Sequence, residues 1–150
     1  MSSSKSDKDA ESGFPRGACA TIRRLMLPRD TNALGTIFGG IILSEIDLAA
    51  AIEAHKHHSG RLVTIAMDKV VFKSPVYVGD AVSFFTSTER VGTTSIRVVV
   101  KVWAERAFSD GEDVAVTEAT VTMVAVDEDG NKIKVGTGPP MIPPGTKWKR

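Results

Sequence analysis

"LPRDTNALGTIFGGIILSEIDLAAAIEA", residues 27–54, is the stretch on which the fold turns. Its opening is dense in Pro, Asp, Asn, Thr and Gly, so it reads as loop. After Gly39 and Gly40, residues 41–56 hold neither Pro nor Gly and mix Ile and Leu with Ala and Glu, a helical composition. A helix over residues 40–56 would be roughly 25 Å long. It is apolar on most sides, as a helix embraced by a curved sheet would be. One residue breaks that pattern. Asp47 lies among Ile46, Leu48, Ala50 and Ala51, where a carboxylate is costly unless something compensates it.

The flanking sequence supplies the sheet. "ACATIRRLML" (18–27), "GRLVTIAMDKVVF" (60–72), "DAVSFFTSTERVG" (80–92), "TTSIRVVVKVWAER" (93–106) and "VAVTEATVTMVAVD" (114–127) read as strands, with a short "KIKV" (132–135) completing them. In the fourth, Ile96, Val98, Val100 and Val102 share one face with the period of two that a strand requires. Short connections between them imply antiparallel pairing. The fold class is therefore α+β, an antiparallel sheet of five to six strands wrapped around one long central helix.

At 150 residues, 42% hydrophobic and 25% charged, the chain has the composition of one soluble globular domain. We expect that domain over residues 17–136, between a disordered tail at 1–16 and an extended, proline-rich arm at 137–150 that could lie along a neighbour. A formal net charge of +1 argues against a general nucleic-acid partner. No apolar run approaches a membrane span, and no signal-peptide stretch opens the chain. A single cysteine, Cys19, rules out an internal disulfide and fits the cytoplasm.

Gly39 and Gly40 would let a ligand approach the backbone at a helix N-terminus, whose first N–H groups have no intrahelical partner and stabilise an oxyanion. Asp47 follows Gly40 by seven residues, within about 20° of the same helix face. An ionised, poorly hydrated carboxylate there is a competent general base or nucleophile. Ser44 is a candidate partner for it, and Glu45 and Glu53 are expected on the solvated or subunit-facing side. Asn32 could orient a water or polarise a carbonyl, although a loop asparagine is more often a turn former. "HKHH" (55–58) reads as ordinary cationic residues at a helix C-terminus, so no metal site is expected. No phosphate-binding loop, nucleophile elbow or dinucleotide fingerprint is present.

The ordered series "LPRDTNALGTIFGGIILSEID", "GRLVTIAMDKVVFKSPVYVGD", "VGTTSIRVVVKVW" and "VAVD" resembles the hot-dog-fold acyl-CoA thioesterases, above all the YciA-type and brain-type acyl-CoA hydrolases, over roughly residues 20–130. The resemblance implies hydrolysis of acyl-CoA to free CoA and a carboxylic acid, with no cofactor because CoA belongs to the substrate. It implies Asp47 as the essential carboxylate, Asn32 acting on the partner subunit's Asp47, and Gly39 or Gly40 offering an N–H to the thioester oxygen. It also implies a homo-oligomer, two domains pairing edge to edge and three such dimers assembling.

In relatives the "VGxxS" turn near bound CoA often carries a basic residue after its glycine; here it is Gly92, Thr93, Thr94 and Ser95. Arg61 and Lys73 are among the candidate replacements for CoA phosphate contacts. Two other functions fit the same fold. A non-catalytic acyl-CoA sensor would release no thiol, and a 3-hydroxyacyl dehydratase would need a histidine near its carboxylate, whereas all three histidines cluster at 55–58.

Overall fold

The structure is a computed structural model that describes residues 13–142 and residue 145. Its strands are β1 (Ile22–Leu25), β2 (Arg61–Asp68), β3 (Ala81–Val91), β4 (Ser95–Glu105) and β5 (Asp113–Val126). They form one antiparallel sheet in the order β1-β3-β4-β5-β2. The helix α1 (Gly39–Ala54) packs on its concave face, contacting β3, β4 and β5. This is the expected α+β arrangement, with five strands.

The packing follows from side-chain periodicity. Val98, Val100, Val102 and Ala104 of β4 are fully buried, as alternate residues on one strand face must be when a helix covers it. On α1, Ile42, Ile46, Ala49, Ala50 and Ala54 face the sheet, and the alanines let the helix approach closely. The opposite pole of α1 is also apolar, yet Leu48 and Ile52 are about half exposed at 55% and 50%. The sheet embraces only part of an all-round apolar helix.

"KIKV" differs from expectation. Lys132 makes an isolated bridge to Val126, which is paired with Arg61 of β2 and lies just past Val124, where pairing with β4 stops, so "KIKV" adds one bridge rather than a strand. Most of the expected tail at 1–16 lies outside the described residues. At its described end, however, Phe14 packs edge-on against Phe85 and Trp103, with ring centroids 5.6 Å from each. The anchored chain therefore begins before residue 17. Of the arm, residues 137–142 fold back beside residues 58–60 of the same chain, where Met141 N donates to the Ser59 carbonyl. Among the described residues no helix is long and apolar enough to cross a membrane.

Candidate active site

The helix start is built by the loop before it. A 3-10 turn over Pro28–Asp30 leads into a closed excursion whose base is the Thr31–Ile37 bridge. Phe38 then caps α1 with no side-chain hydrogen bond, and no acidic residue lies in the first turn. The N–H groups of Gly39 and Gly40 consequently point out of the helix end without a partner among the described residues. The two glycines differ in kind. A Cβ on Gly39 would make ordinary contact with the Phe72 ring at 3.6 Å. One on Gly40 would stand 2.3 Å from the Phe38 ring, so only glycine fits beneath that ring as it lies. Gly39, Ile42, Phe72, Lys73 and Val76 line a cleft of about 330 Å³ beside this helix end.

Asp47 is two turns along α1, on the Gly40 face. It is half-buried in the single chain rather than enclosed by apolar side chains, because the expected cover is only partly supplied by the sheet. Its compensating partner is Thr64, on β2, whose hydroxyl donates to Oδ1 at 2.6 Å. Ser44 is not that partner, since its hydroxyl bonds back to the Ile41 carbonyl at 2.8 Å. Thr64 lies seventeen residues from Asp47, so local spacing could not reveal it. The polar position within the apolar strand "RLVTIAMD" was the only available signal.

Asn32 is committed to its own loop. Its Oδ1 accepts from Leu34 N at 2.8 Å and Thr36 N at 3.3 Å, and its amide donates to the Thr36 hydroxyl at 2.9 Å. Within one chain the remaining candidates fall on two sides of Asp47. Lys73 joins Gly39 in the cleft, its N–H bonded to the Val116 carbonyl of β5. Arg61 and the Gly92–Ser95 turn lie toward the other end of β5, Arg61 opposite Val126 and Ser95 opposite Val124. The turn itself is tight: Gly92 N donates to the Ser95 carbonyl at 2.7 Å, while the Thr93 and Thr94 carbonyls accept from Val135 and Ala125. Arg61 lines a second cleft of about 410 Å³ with Gly60, Ile133 and Pro139. Asp47 lines neither cleft.

Glu53 reverses the expectation of a solvated side chain. It is 7% exposed, and its carboxylate accepts from Lys56 at 2.6 Å, Thr88 at 3.0 Å and Thr86 at 3.2 Å. Burial pushes that carboxyl's pKa up, but the hydrogen bonds outweigh it and the net direction is down. His57 bonds to Thr88, His55 Nδ1 donates to the His58 carbonyl, and His58 Nδ1 accepts from Gly136 N. Burial first, then neighbouring His55, lowers the His58 pKa.

Comparison with known proteins adds the family. Residues 34–107 match the thioesterase superfamily. The acyl-CoA thioester hydrolase YciA of Salmonella typhimurium is 41% identical over 111 residues, covering 73% of this chain and 84% of that protein. A hexameric hotdog-fold thioesterase of Campylobacter jejuni superposes with a TM-score of 0.74 at 47% identity, covering 79% of this chain and 91% of the other. The acyl-CoA hydrolase of Staphylococcus aureus, solved with butyryl-CoA and CoA, superposes at 0.68 with 33% identity, covering 76% and 69%. By that identity, coverage and shared architecture, the chain belongs to the hot-dog-fold acyl-CoA thioester hydrolases of the thioesterase superfamily.

Proposed function

We propose that this protein hydrolyses acyl-CoA thioesters, with Asp47 as general base or nucleophile. The observation that carries the reading is the Asp47 carboxylate itself. It is held by Thr64 at 2.6 Å on the helix face that leads, roughly 10 Å on, to the unpartnered N–H groups of Gly39 and Gly40. Helical side chains lean toward the N-terminus, which shortens that gap to one a thioester carbon and a water can fill. The carbonyl oxygen accepts at the glycines, where the helix dipole favours the developing oxyanion. Asp47 takes a proton from water as water attacks, or attacks itself to give a mixed anhydride that water opens. In the first route the proton taken from water passes to the sulfur as the C–S bond breaks. In the second the C–S bond breaks with CoA leaving as a thiolate, and water opening the anhydride restores the Asp47 carboxylate, releases the acid and supplies the proton the thiolate takes up. The chemistry uses no cofactor.

The active unit is a homo-oligomer in this reading. Among the described residues strand β2 is a sheet edge bonded to β5 alone, its Val63 and Ile65 are exposed, and Leu48 and Ile52 of α1 are about half exposed. An unpaired apolar edge of this kind pairs with another chain. A second copy there covers the open side of Asp47 and brings its own Asn32 loop to that carboxylate. Assembly into a trimer of dimers agrees with the hexameric C. jejuni relative. CoA phosphates are then met by the Gly92, Thr93, Thr94 and Ser95 turn with Arg61 on one side and Lys73 on the other. The unpaired, exposed Cys19 suits the cytoplasm.

The test is thiol release from acetyl-, butyryl- and longer acyl-CoAs. Asp47→Asn should lose about a thousandfold in kcat, roughly 4 kcal/mol of transition-state stabilisation, while circular dichroism and assembly mass stay unchanged. Wild-type turnover of several acyl-CoAs by Asp47→Asn overturns the site.

A further inference from the structure

The loop that carries Asn32 is gripped by three charged side chains that the reaction does not touch. Arg24, on β1, donates from Nη2 to Asp30 Oδ1 and from Nη1 to Glu45 Oε1, both at 2.8 Å. Asp30 is 3% exposed, and its second oxygen accepts from Leu27 N at 2.9 Å. Its carbonyl accepts from Phe38 N at 2.8 Å, the residue that caps α1. Asp30 therefore holds both ends of the excursion bearing Asn32, with its side chain on the entry and its carbonyl on the exit. Glu45 stands on α1 two residues before Asp47, about 200° around the helix from it, so it faces β1 rather than the catalytic side.

From this we infer that Arg24 and Glu45 are positioning residues, bracing the Asn32 loop and the start of α1 into one rigid unit. The inference rests on the proposed role of Asn32. A forked guanidinium that meets two carboxylates from different elements fixes their separation and their angle, which a single hydrogen bond does not. Displacing a positioned group by about 1 Å is enough to cost up to a hundredfold in rate. If the loop loses this brace, Asn32 reaches the partner subunit's carboxylate with a spread of geometries. Substrate then still binds, but the chemical step slows.

Arg24→Met would strand the buried Asp30 carboxylate and risks unfolding the chain. Glu45→Gln is the cleaner probe, because it keeps shape and an acceptor while removing the charge. The experiment measures kcat and KM for butyryl-CoA in wild type, Glu45→Gln, Asn32→Ala and the double variant, on samples of matched assembly mass. Glu45→Gln should lower kcat about tenfold with KM within about twofold. In the Asn32→Ala background the same change should cost less than about twofold, since the group being positioned is gone. Arg24→Lys, which meets one carboxylate at a time, should cost at least as much kcat as Glu45→Gln, and likewise lose that effect in the Asn32→Ala background. An equal loss from Glu45→Gln in both backgrounds, or none in either, overturns the brace while leaving the role of Asn32 standing. Asn32→Ala at wild-type kcat overturns the role of Asn32 first, and the brace with it.

Discussion

A single threonine decides how Asp47 is held. A hydrogen bond to a charged group contributes about 1.5–3 kcal/mol, so Thr64→Val, which keeps shape and removes the donor, should slow thiol release by about tenfold with KM little changed. The glycine pair gives a sharper contrast. Gly39→Ala meets the Phe72 ring at an ordinary 3.6 Å and should keep near wild-type kcat and melting temperature, with alanine's better helix propensity in its favour. Gly40→Ala places its methyl 2.3 Å from the Phe38 ring, so that ring must leave the helix end. The backbone N–H is kept, so the effect is one of position, and we expect kcat to fall about tenfold as the displaced ring disturbs the helix end. If both alanine variants behave alike, the distinction between the glycines is wrong. As candidates, Asp47 and the glycines stood out in the sequence, because a carboxylate in an apolar helix and a glycine pair at its start are local oddities. Thr64 did not, because the contact joins a helix to a strand seventeen residues away.

At the scale of elements, the segment after α1 is tied by His58 to Gly136, just before the arm. Its ring is 2% exposed, and Nδ1 must stay unprotonated to accept the Gly136 N–H at 3.1 Å. The folded pKa of His58 lies below its unfolded value, so the neutral ring is favoured on folding. Its contribution to stability is therefore present above about pH 6.5 and is lost as pH falls from there toward the folded pKa. The denaturant midpoint of wild type should drop between about pH 7 and pH 5, and amide exchange at Gly136 should quicken. His58→Gln should flatten that dependence, even if it lowers the midpoint throughout. Glu53 acts lower on the scale. Its folded pKa is also depressed, so the bonds from Lys56, Thr88 and Thr86 stabilise above the ordinary carboxylate value and weaken below it.

The whole molecule poses a question of covering. Leu48 and Ile52 lie one turn apart on the outer pole of α1, and Ile65 is exposed on the edge strand β2. Apolar side chains left half exposed in this way gain about 25 cal/mol per Å² when a second copy covers them. Lysines at both helix positions cannot be buried in such an interface unpaired. Leu48→Lys with Ile52→Lys should lower the sedimentation mass to that of one folded chain, and thiol release should vanish with it. A monomeric double variant that still hydrolyses acyl-CoA at wild-type rate would refute the need for a partner. The helix's all-round apolar character was readable from composition. Only the tertiary structure divides it into a side that the sheet covers and a side that it leaves open.

What the sequence alone determined is the local alphabet of the protein. Period-two valines made the strands, a Pro- and Gly-free run of Ile, Leu and Ala made the helix, and turn formers made the loop between them. These follow from backbone sterics and from which side chains can be buried together, and both are written in neighbouring residues. The tertiary structure decided which distant groups meet: Thr64 with Asp47, Arg24 with Asp30 and Glu45, and Glu53 with Thr86 and Thr88. Each pairing depends on strand order and on the rotation of α1 over the sheet, which the whole core sets at once. Hydrogen bonds are short and directional, so those contacts exist only after packing has fixed the distances.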